Sequence, residues 1–289
     1  MSDDELLVKE LNALQTWVGR VAESTDVVTA SPLIRMSAWL DREDPIPRKG
    51  DPVPPGWHYL FCLSQMPQRK LTHEGGTPRS ELFPPISLPR SMWVGCRFSF
   101  SGTIKVGDPI RRVGTIKSLT GKKGRTGPLI LMTIRDEFFV PAGLAVAEEM
   151  DIIFRKNAEG SEPLPPPQPR PVEAAWRRVV RADPPFLFRY SALTYNSHRI
   201  HYDLAYATQK EGYPALLVHG PLQANLMLEL VRQHDDRPIA EFSCRAQRPI
   251  FEGGPFSVEG APMPDQTGAM IWTLDRDSAL SMTAMVKFA

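Results

Sequence analysis

The sequence predicts an α+β chain made of two similar halves, and three observations carry that prediction. Each half opens on helical spacing and closes on strand-like runs separated by turns, the pattern of helices packed on antiparallel sheet. A proline tract, Pro163-Leu-Pro-Pro-Pro-Gln-Pro-Arg-Pro171, stands between them. The same order of turn features recurs on its two sides. Ile104-Lys-Val-Gly107-Asp-Pro109 is matched by Ile250-Phe-Glu-Gly253-Gly-Pro255, and Gly50-Asp-Pro52 by Gly212-Tyr-Pro214. Gly253 follows Gly107 by 146 positions and Pro214 follows Pro52 by 162, so the first half carries about 16 extra residues, which the Pro/Gly-rich loop Ser64–Arg90 can hold.

In chain order, apolar residues at helical spacing predict a helix over Leu6–Val21. A second helix is expected over Pro32–Leu40, with Ser31 as N-cap and Pro32 at the first helical position. Arg97–Ile104, Ile110–Ser118 and Pro128–Phe139 read as strands, the last two joined by a turn at Gly121–Gly127. Proline lacks a donor and blocks helix interiors, so residues 158–172 read as a semi-rigid strap between an N-terminal domain, 1–157, and a C-terminal domain, 173–289. Because the tract joins like halves, this reading is preferred to that of a ligand for a signalling domain. Leu204–Glu211 is a short helix and Pro221–Arg232 a longer apolar one beginning at His219-Gly220. Strands follow at Ile239–Gln247, Phe256–Ala261, Ala269–Asp275 and Leu280–Phe288.

Composition narrows the function classes. The chain has 289 residues, 42% hydrophobic, with 34 basic against 33 acidic side chains. A net charge of +1 gives no electrostatic case for nucleic acid or an anionic membrane. The N-terminus is acidic where a signal peptide would be basic, and no apolar run has the length of a membrane span. Cys62, Cys96 and Cys244 are too far apart for a metal-ligand spacing or a disulfide framework. A cytoplasmic protein with reduced thiols is the expectation, and homo-oligomerisation is left open.

The chemistry is concentrated between Tyr190 and Gly220. Arg189-Tyr-Ser-Ala-Leu-Thr194-Tyr-Asn196-Ser-His198-Arg-Ile-His201-Tyr-Asp203 precedes Gly212-Tyr-Pro214-Ala-Leu-Leu-Val-His219-Gly220-Pro-Leu, which places three of the six histidines within 22 residues. His198, His201 and Asp203 could be metal ligands, but Arg199 between the histidines argues against a cation, and no metal is expected. Acid–base work suits the pattern better, since a placed imidazole can take and return a proton near neutrality. Bland alternatives stand beside each assignment. Asp203 is most simply a helix N-cap, His219 can serve only to shape its turn, Asn196 can bond its own backbone, and His198 and Arg199 can be solvated surface.

The pattern Thr194-x-Asn196-x-His-Arg-Ile-His201-x-Asp203, then Tyr213-Pro214, then Val218-His219-Gly220-Pro221-Leu222, resembles the MaoC-like, R-specific enoyl-CoA hydratases. It is most similar to the double-hot-dog branch of 3-hydroxyacyl-thioester dehydratases and of itaconyl-CoA and mesaconyl-C4-CoA hydratases, which the first half, with Pro89-Arg90-x-Met92-Trp93-x-Gly95, resembles more loosely. The resemblance implies a double hot-dog fold with a degenerate N-terminal half. It also implies His201 as catalytic base, Gly220 N–H as oxyanion donor, and an acyl-CoA substrate whose coenzyme A makes any other cofactor unnecessary. Tyr190, Arg199, His219 and Arg90 are the expected substrate contacts, the two arginines as partners for a substrate carboxylate. One departure matters. The family form has an aspartate where this chain has Asn196. Asparagine cannot ionise, so Asn196 is expected to orient water while His201 both takes and returns the proton, a syn addition. Under the 162 offset, Trp39 and His58 fall on His201 and Gly220, so the first half lacks the site. The implied reaction is hydration of itaconyl-CoA or mesaconyl-C4-CoA to citramalyl-CoA. Alternatives are a 3-hydroxyacyl-thioester dehydratase, a non-catalytic acyl-thioester-binding subunit, and a thioesterase, for which Asp203 would be the local carboxylate.

Overall fold

In the computed structural model, ten strands form one continuous antiparallel sheet; residues 3–76, 82–124, 127–156 and 164–289 are described. The first half contributes α1 (Asp3–Leu14), β1 (Val21–Val27), α2 (Ala30–Trp39), β2 (Arg90–Phe100), β3 (Pro109–Gly124), β4 (Gly127–Val140) and β5 (Gly143–Arg155). The second contributes β6 (Trp176–Arg181), α3 (Pro184–Leu193), α4 (Leu204–Gln209), α5 (Gly220–His234), β7 (Ile239–Ala246), β8 (Pro255–Pro262), β9 (Gly268–Leu274) and β10 (Leu280–Phe288). The sheet order is β1-β3-β4-β5-β2-β7-β10-β9-β8-β6. Each half therefore repeats one five-strand topology, and the two meet where β2 pairs with β7, Cys96 opposite Cys244.

The second half is built around α5. Nearly every residue from Leu222 to Val231 is buried, because the helix lies against β6, β8, β9 and β10 and also reaches β2. Gln223, Asn225 and Glu229 are enclosed along with the apolar side chains of this stretch. The first half has no counterpart of this length. Between α2 and β2 the described residues hold only two short 3-10 segments, Trp57–Leu60 and Gln68–Lys70, and its sheet is covered by α1 and the side chains of Leu82 and Leu88 instead. The isolated bridges Pro52↔Lys105 and Leu217↔Phe251 are the same feature in the two halves. They place Leu217 165 positions after Pro52. The 162 overlay is thus corrected by three residues, and Met36 and Pro55, rather than Trp39 and His58, correspond to His201 and Gly220.

Several other elements differ from expectation. The helix expected over Leu6–Val21 ends at Leu14, passes through a 3-10 turn at Gln15–Trp17, and gives way to β1, whose alternating burial is that of an edge strand. The second helix starts at Ala30 with Thr29 as N-cap, not at Pro32 after Ser31, and no side-chain cap bond is made. The strand expected from Arg97 begins at Arg90 and ends at Phe100. Strand β5 has no counterpart among the expected elements, because Glu148, Glu149 and Asp151 interrupt its apolar pattern. Glu148 is in fact buried facing inward, while Glu149 and Asp151 on the other face pair with Arg97, Lys117 and Arg135. Strand β6, Trp-Arg-Arg-Val-Val-Arg, was hidden by its arginines in the same way. Residue 157, the start of the proline strap, 158–163, and positions 125–126 of the turn expected at Gly121–Gly127 lie outside the described residues. The rest of the strap lies on the second half, where Gln168 O accepts from Leu280 N (2.8 Å) and Arg248 donates to Pro165 O.

Candidate active site

The loop that carries the candidate catalytic residues begins where α3 stops. Tyr195 takes a left-handed φ of +52°, and Asn196 N–H bonds back to Ser191 O (2.8 Å). The Asn196 side-chain oxygen accepts from His198 N–H at 3.0 Å, an Asx turn. One 3-10 turn, Arg199–His201, then carries His201 inward. Asp203 accepts from Tyr206 N–H (3.0 Å) and so caps α4. This loop is held from both sides. Leu217 N–H bonds to Ile200 O (2.9 Å), and Leu217 O lies 2.8 Å from His201 Nδ1. A carbonyl can only accept, so Nδ1 carries the proton and Nε2 is the bare acceptor. Burial, with His198 nearby, pushes the His201 pKa down to about 3. The ring is neutral at physiological pH.

Beside His201, the chain from Leu217 turns at His219 into α5. His219 is the N-cap residue and is fully buried, its Nε2 2.8 Å from Ser191 Oγ and its ring stacked on that of His201. The first N–H groups of a helix have no partner within it, and the positive end of the helix dipole lies there. Gly220 offers such an N–H. A Cβ at position 220 would stand 2.2 Å from Trp93 Cε3, so the glycine is required by an indole from the first half.

Both halves line the resulting cavity, which has a volume of about 850 Å³. Of the residues expected at the site, Tyr190, Asn196, His201, Gly220 and Arg90 line it. Tyr190 Oη accepts from Asn225 Nδ2 on α5 (2.9 Å). Arg90 Nε sits 3.3 Å from Glu211, and its guanidinium lies 4.9 Å from the centre of the Tyr213 ring. Arg199 and His219 are not in the wall, which corrects their expected role as substrate contacts. Arg199 turns outward to Asp203 (2.8 Å) over the Tyr206 ring, and His219 is screened by His201.

Sequence reasoning took Asp203 for the only carboxylate nearby and missed five that line the wall: Glu23, Glu74, Asp136, Glu148 and Glu211. Glu74 lies 3.9 Å from His198 Nε2. It arrives on a first-half loop that docks on the catalytic loop: Arg199 N–H donates to Glu74 O (2.8 Å) and Ser197 Oγ donates to Gly75 O (2.5 Å). A single glutamate in a Pro/Gly-rich loop more than 120 positions upstream leaves no signal in the sequence. Among the described residues, no group of three or more His, Cys, Asp or Glu side chains converges as a metal-ligand set, and no helix is long and apolar enough to cross a membrane.

Comparison with known proteins agrees with this geometry. The family model for hydroxyacyl-thioester dehydratase type 2 matches residues 56–252. The mesaconyl-C(4)-CoA hydratase of Chloroflexus aurantiacus is 41% identical over 270 residues, 92% of this chain and 95% of that protein. Among solved structures, a MaoC-like dehydratase superposes with a TM-score of 0.70 at 14% identity, covering 96% of this chain and all of that one. A Mycobacterium tuberculosis protein described as a double hotdog fold superposes with a TM-score of 0.57 at 12% identity, over 93% of this chain and 96% of that one. The paired five-strand units are thus the two halves of a double hot dog, and the chain belongs to the hydroxyacyl-thioester dehydratase type 2 family.

Proposed function

We propose that the protein catalyses the reversible syn hydration of a short enoyl-CoA to a 3-hydroxyacyl-CoA, with mesaconyl-C4-CoA, or else itaconyl-CoA, converted to citramalyl-CoA. One observation carries the reading: a neutral imidazole with a bare Nε2 shares a cavity wall with the N-terminal N–H of a buried apolar helix. Conjugate addition of water to a thioester needs such a pair. His201 Nε2 takes the proton of water as its oxygen bonds to the β-carbon. The Gly220 N–H and the dipole of α5 stabilise the charge that moves onto the thioester oxygen. The side-chain oxygen of Asn196 is spent on His198 N–H, so its Nδ2 donors are what remain to hold water.

The preference for a carboxylated C5 acyl group rests on the 41%-identical relative and on Arg90 in the wall beside the catalytic loop. In mesaconyl-C4-CoA the hydrated carbon itself carries the carboxylate, so its partner has to stand near His201. Arg90, oriented by Glu211 and Tyr213, is that partner in this reading, and Arg199 is not. No cofactor is required beyond the coenzyme A of the substrate, and a cytoplasmic acyl-CoA pool, as in itaconate degradation, would supply it. A 3-hydroxyacyl-thioester dehydratase is the second reading, favoured by the matched family; it uses the same site on an uncharged acyl chain. A binding-only subunit would have no need of the oriented His201 tautomer.

The test is loss of thioester-conjugation absorbance with mesaconyl-C4-CoA and crotonyl-CoA, and chromatographic appearance of citramalyl-CoA with itaconyl-CoA, whose double bond is not conjugated to the thioester, using His201→Ala as blank. Turnover of the dicarboxylic substrates well above crotonyl-CoA is expected. Preference for crotonyl-CoA would favour the dehydratase reading, and no turnover of any would favour the binding protein.

A further inference from the structure

Resting on the hydratase reading, we propose that Glu74, delivered to the cavity by the first half, is the second acid–base group of the reaction: it exchanges the α-proton of the substrate while His201 exchanges the proton of water. The catalytic loop alone offers only His198 and Tyr195 as further ionisable groups in the wall, because position 196 is an asparagine and Asp203 is occupied by Tyr206 N–H and Arg199. The first half makes up the deficit. Glu74 lines the same cavity as His201, 3.9 Å from His198 Nε2, and the His198 and His201 rings meet edge to face with centroids 5.7 Å apart. Glu74, His198 and His201 therefore form a chain of titratable groups along one wall.

The carboxylate is placed by backbone rather than by chance. Its own carbonyl accepts from Arg199 N–H, and at Gly75, with φ +74°, a Cβ would stand 2.0 Å from Ser197 O. The groups facing Glu74 are His198 on the catalytic loop, Arg90 on β2, Glu211 beyond α4 and Tyr206 on α4. Burial, and then the charge of Glu211, hold the Glu74 carboxyl above its ordinary range against the opposing pull of Arg90. That is the direction a proton donor needs.

In hydration, His201 Nε2 takes a proton from water, the oxygen bonds to the β-carbon, and the double-bond pair moves onto the thioester oxygen. Collapse of this enolate forms the Cα–H bond with the carboxyl proton of Glu74. The imidazolium proton then passes by way of His198 to the Glu74 carboxylate. Both groups end as they began, and the sum is substrate plus water. Glu74 and His201 line the same cavity with His198 between them, an arrangement compatible with a syn addition.

The experiment follows hydration of mesaconyl-C4-CoA and crotonyl-CoA from about pH 5 to pH 9 by wild type, Glu74→Gln, Glu74→Ala and His201→Ala. Glu74→Gln is expected to lower kcat about 100-fold with KM within about threefold of wild type, and to remove the limb on which kcat falls at high pH. Added formate should restore part of the activity of Glu74→Ala, a readout that a packing role would not give. Glu74→Gln within about threefold of wild-type kcat overturns the proposal. So does a loss of activity with the wild-type pH limb retained and no rescue by formate. In either case an active wild type with dead His201→Ala leaves the hydratase reading standing. A wild type inactive on every enoyl-CoA removes that reading and this proposal together.

Discussion

The imidazoles of His201 and His219 lie face to face, centroids 3.6 Å apart and planes 16° from parallel. Two rings so placed cannot both carry charge, and each is also buried. Burial holds the His198 pKa down at about 4 and that of His201 at about 3, and it holds His219 well below the ordinary histidine value.

These depressed values make stability depend on pH in a defined direction. Above the unfolded histidine pKa, near 6.5, neither state is protonated and nothing is gained or lost. Below it the unfolded chain binds protons that the native rings refuse, so stability falls as pH drops from about 6.5 toward about 4. Three such rings give a limiting slope of about 4 kcal/mol per pH unit, less for the partly exposed His198. Urea unfolding followed from about pH 7 to about pH 4.5 should show this slope, and His219→Gln should reduce it by about 1.4 kcal/mol per pH unit. A slope unchanged in that variant would mean that His219 is protonated in the native state.

His201→Ala and His58→Ala should separate chemistry from packing. His58 is buried among Tyr59, Phe98 and Phe138, 3.7 Å from Glu148, and does not line the cavity. Its truncation should cost about 2–4 kcal/mol of stability, as large-to-small core changes do, while kcat of the folded enzyme stays close to wild type. His201→Ala should abolish turnover while the protein remains folded. Melting curves and single-substrate kinetics on both variants check this, and equal loss of kcat in the two would move the catalytic group to the first half.

Much of this architecture was legible in the sequence, and what was hidden has physical causes. Strands β7 to β10 and the helix α5 stand within a few residues of expectation because each buries a continuous face. The candidate site loop stood out in the sequence because His198, His201, His219 and Gly220 are close along the chain. Strands β5 and β6 were hidden because buried Glu148 and the arginines of an edge strand imitate solvated surface. Glu74 and Trp93 were not assigned to the wall because their contacts to His198, Arg199 and Gly220 span more than 120 positions, and no local spacing encodes such a pairing.

Arg90 should govern selection of the acyl group. Removing it alone would strand Glu211 against it, so the informative protein is Arg90→Gln combined with Glu211→Gln. A hydrogen-bonded charge contact contributes about 1.5–3 kcal/mol, so KM for mesaconyl-C4-CoA should rise about 10- to 100-fold. Crotonyl-CoA, which has no carboxylate, should be little affected. Steady-state kinetics on the two substrates decide it: a KM rise shared by both would make Arg90 a structural residue or a contact to coenzyme A.

Gly220 and Trp93 should prove to be coupled across the two halves. Alanine at 220 would place its Cβ 2.2 Å from Trp93 Cε3, well inside any real contact, so either the indole or the first turn of α5 has to move. Overpacking of this kind costs about 1–3 kcal/mol. A shift of the Gly220 N–H from its working position should lower kcat about 100-fold or more, the loss seen when one oxyanion donor is removed. If the indole is the obstacle, Trp93→Ala in the Gly220→Ala background should recover activity, although Trp93→Ala by itself only opens the cavity wall. The double-mutant cycle on kcat is the measurement: a large favourable coupling places the oxyanion donor under the control of the first half, and strictly additive losses would show that the N-terminus of α5 is held by the second half alone.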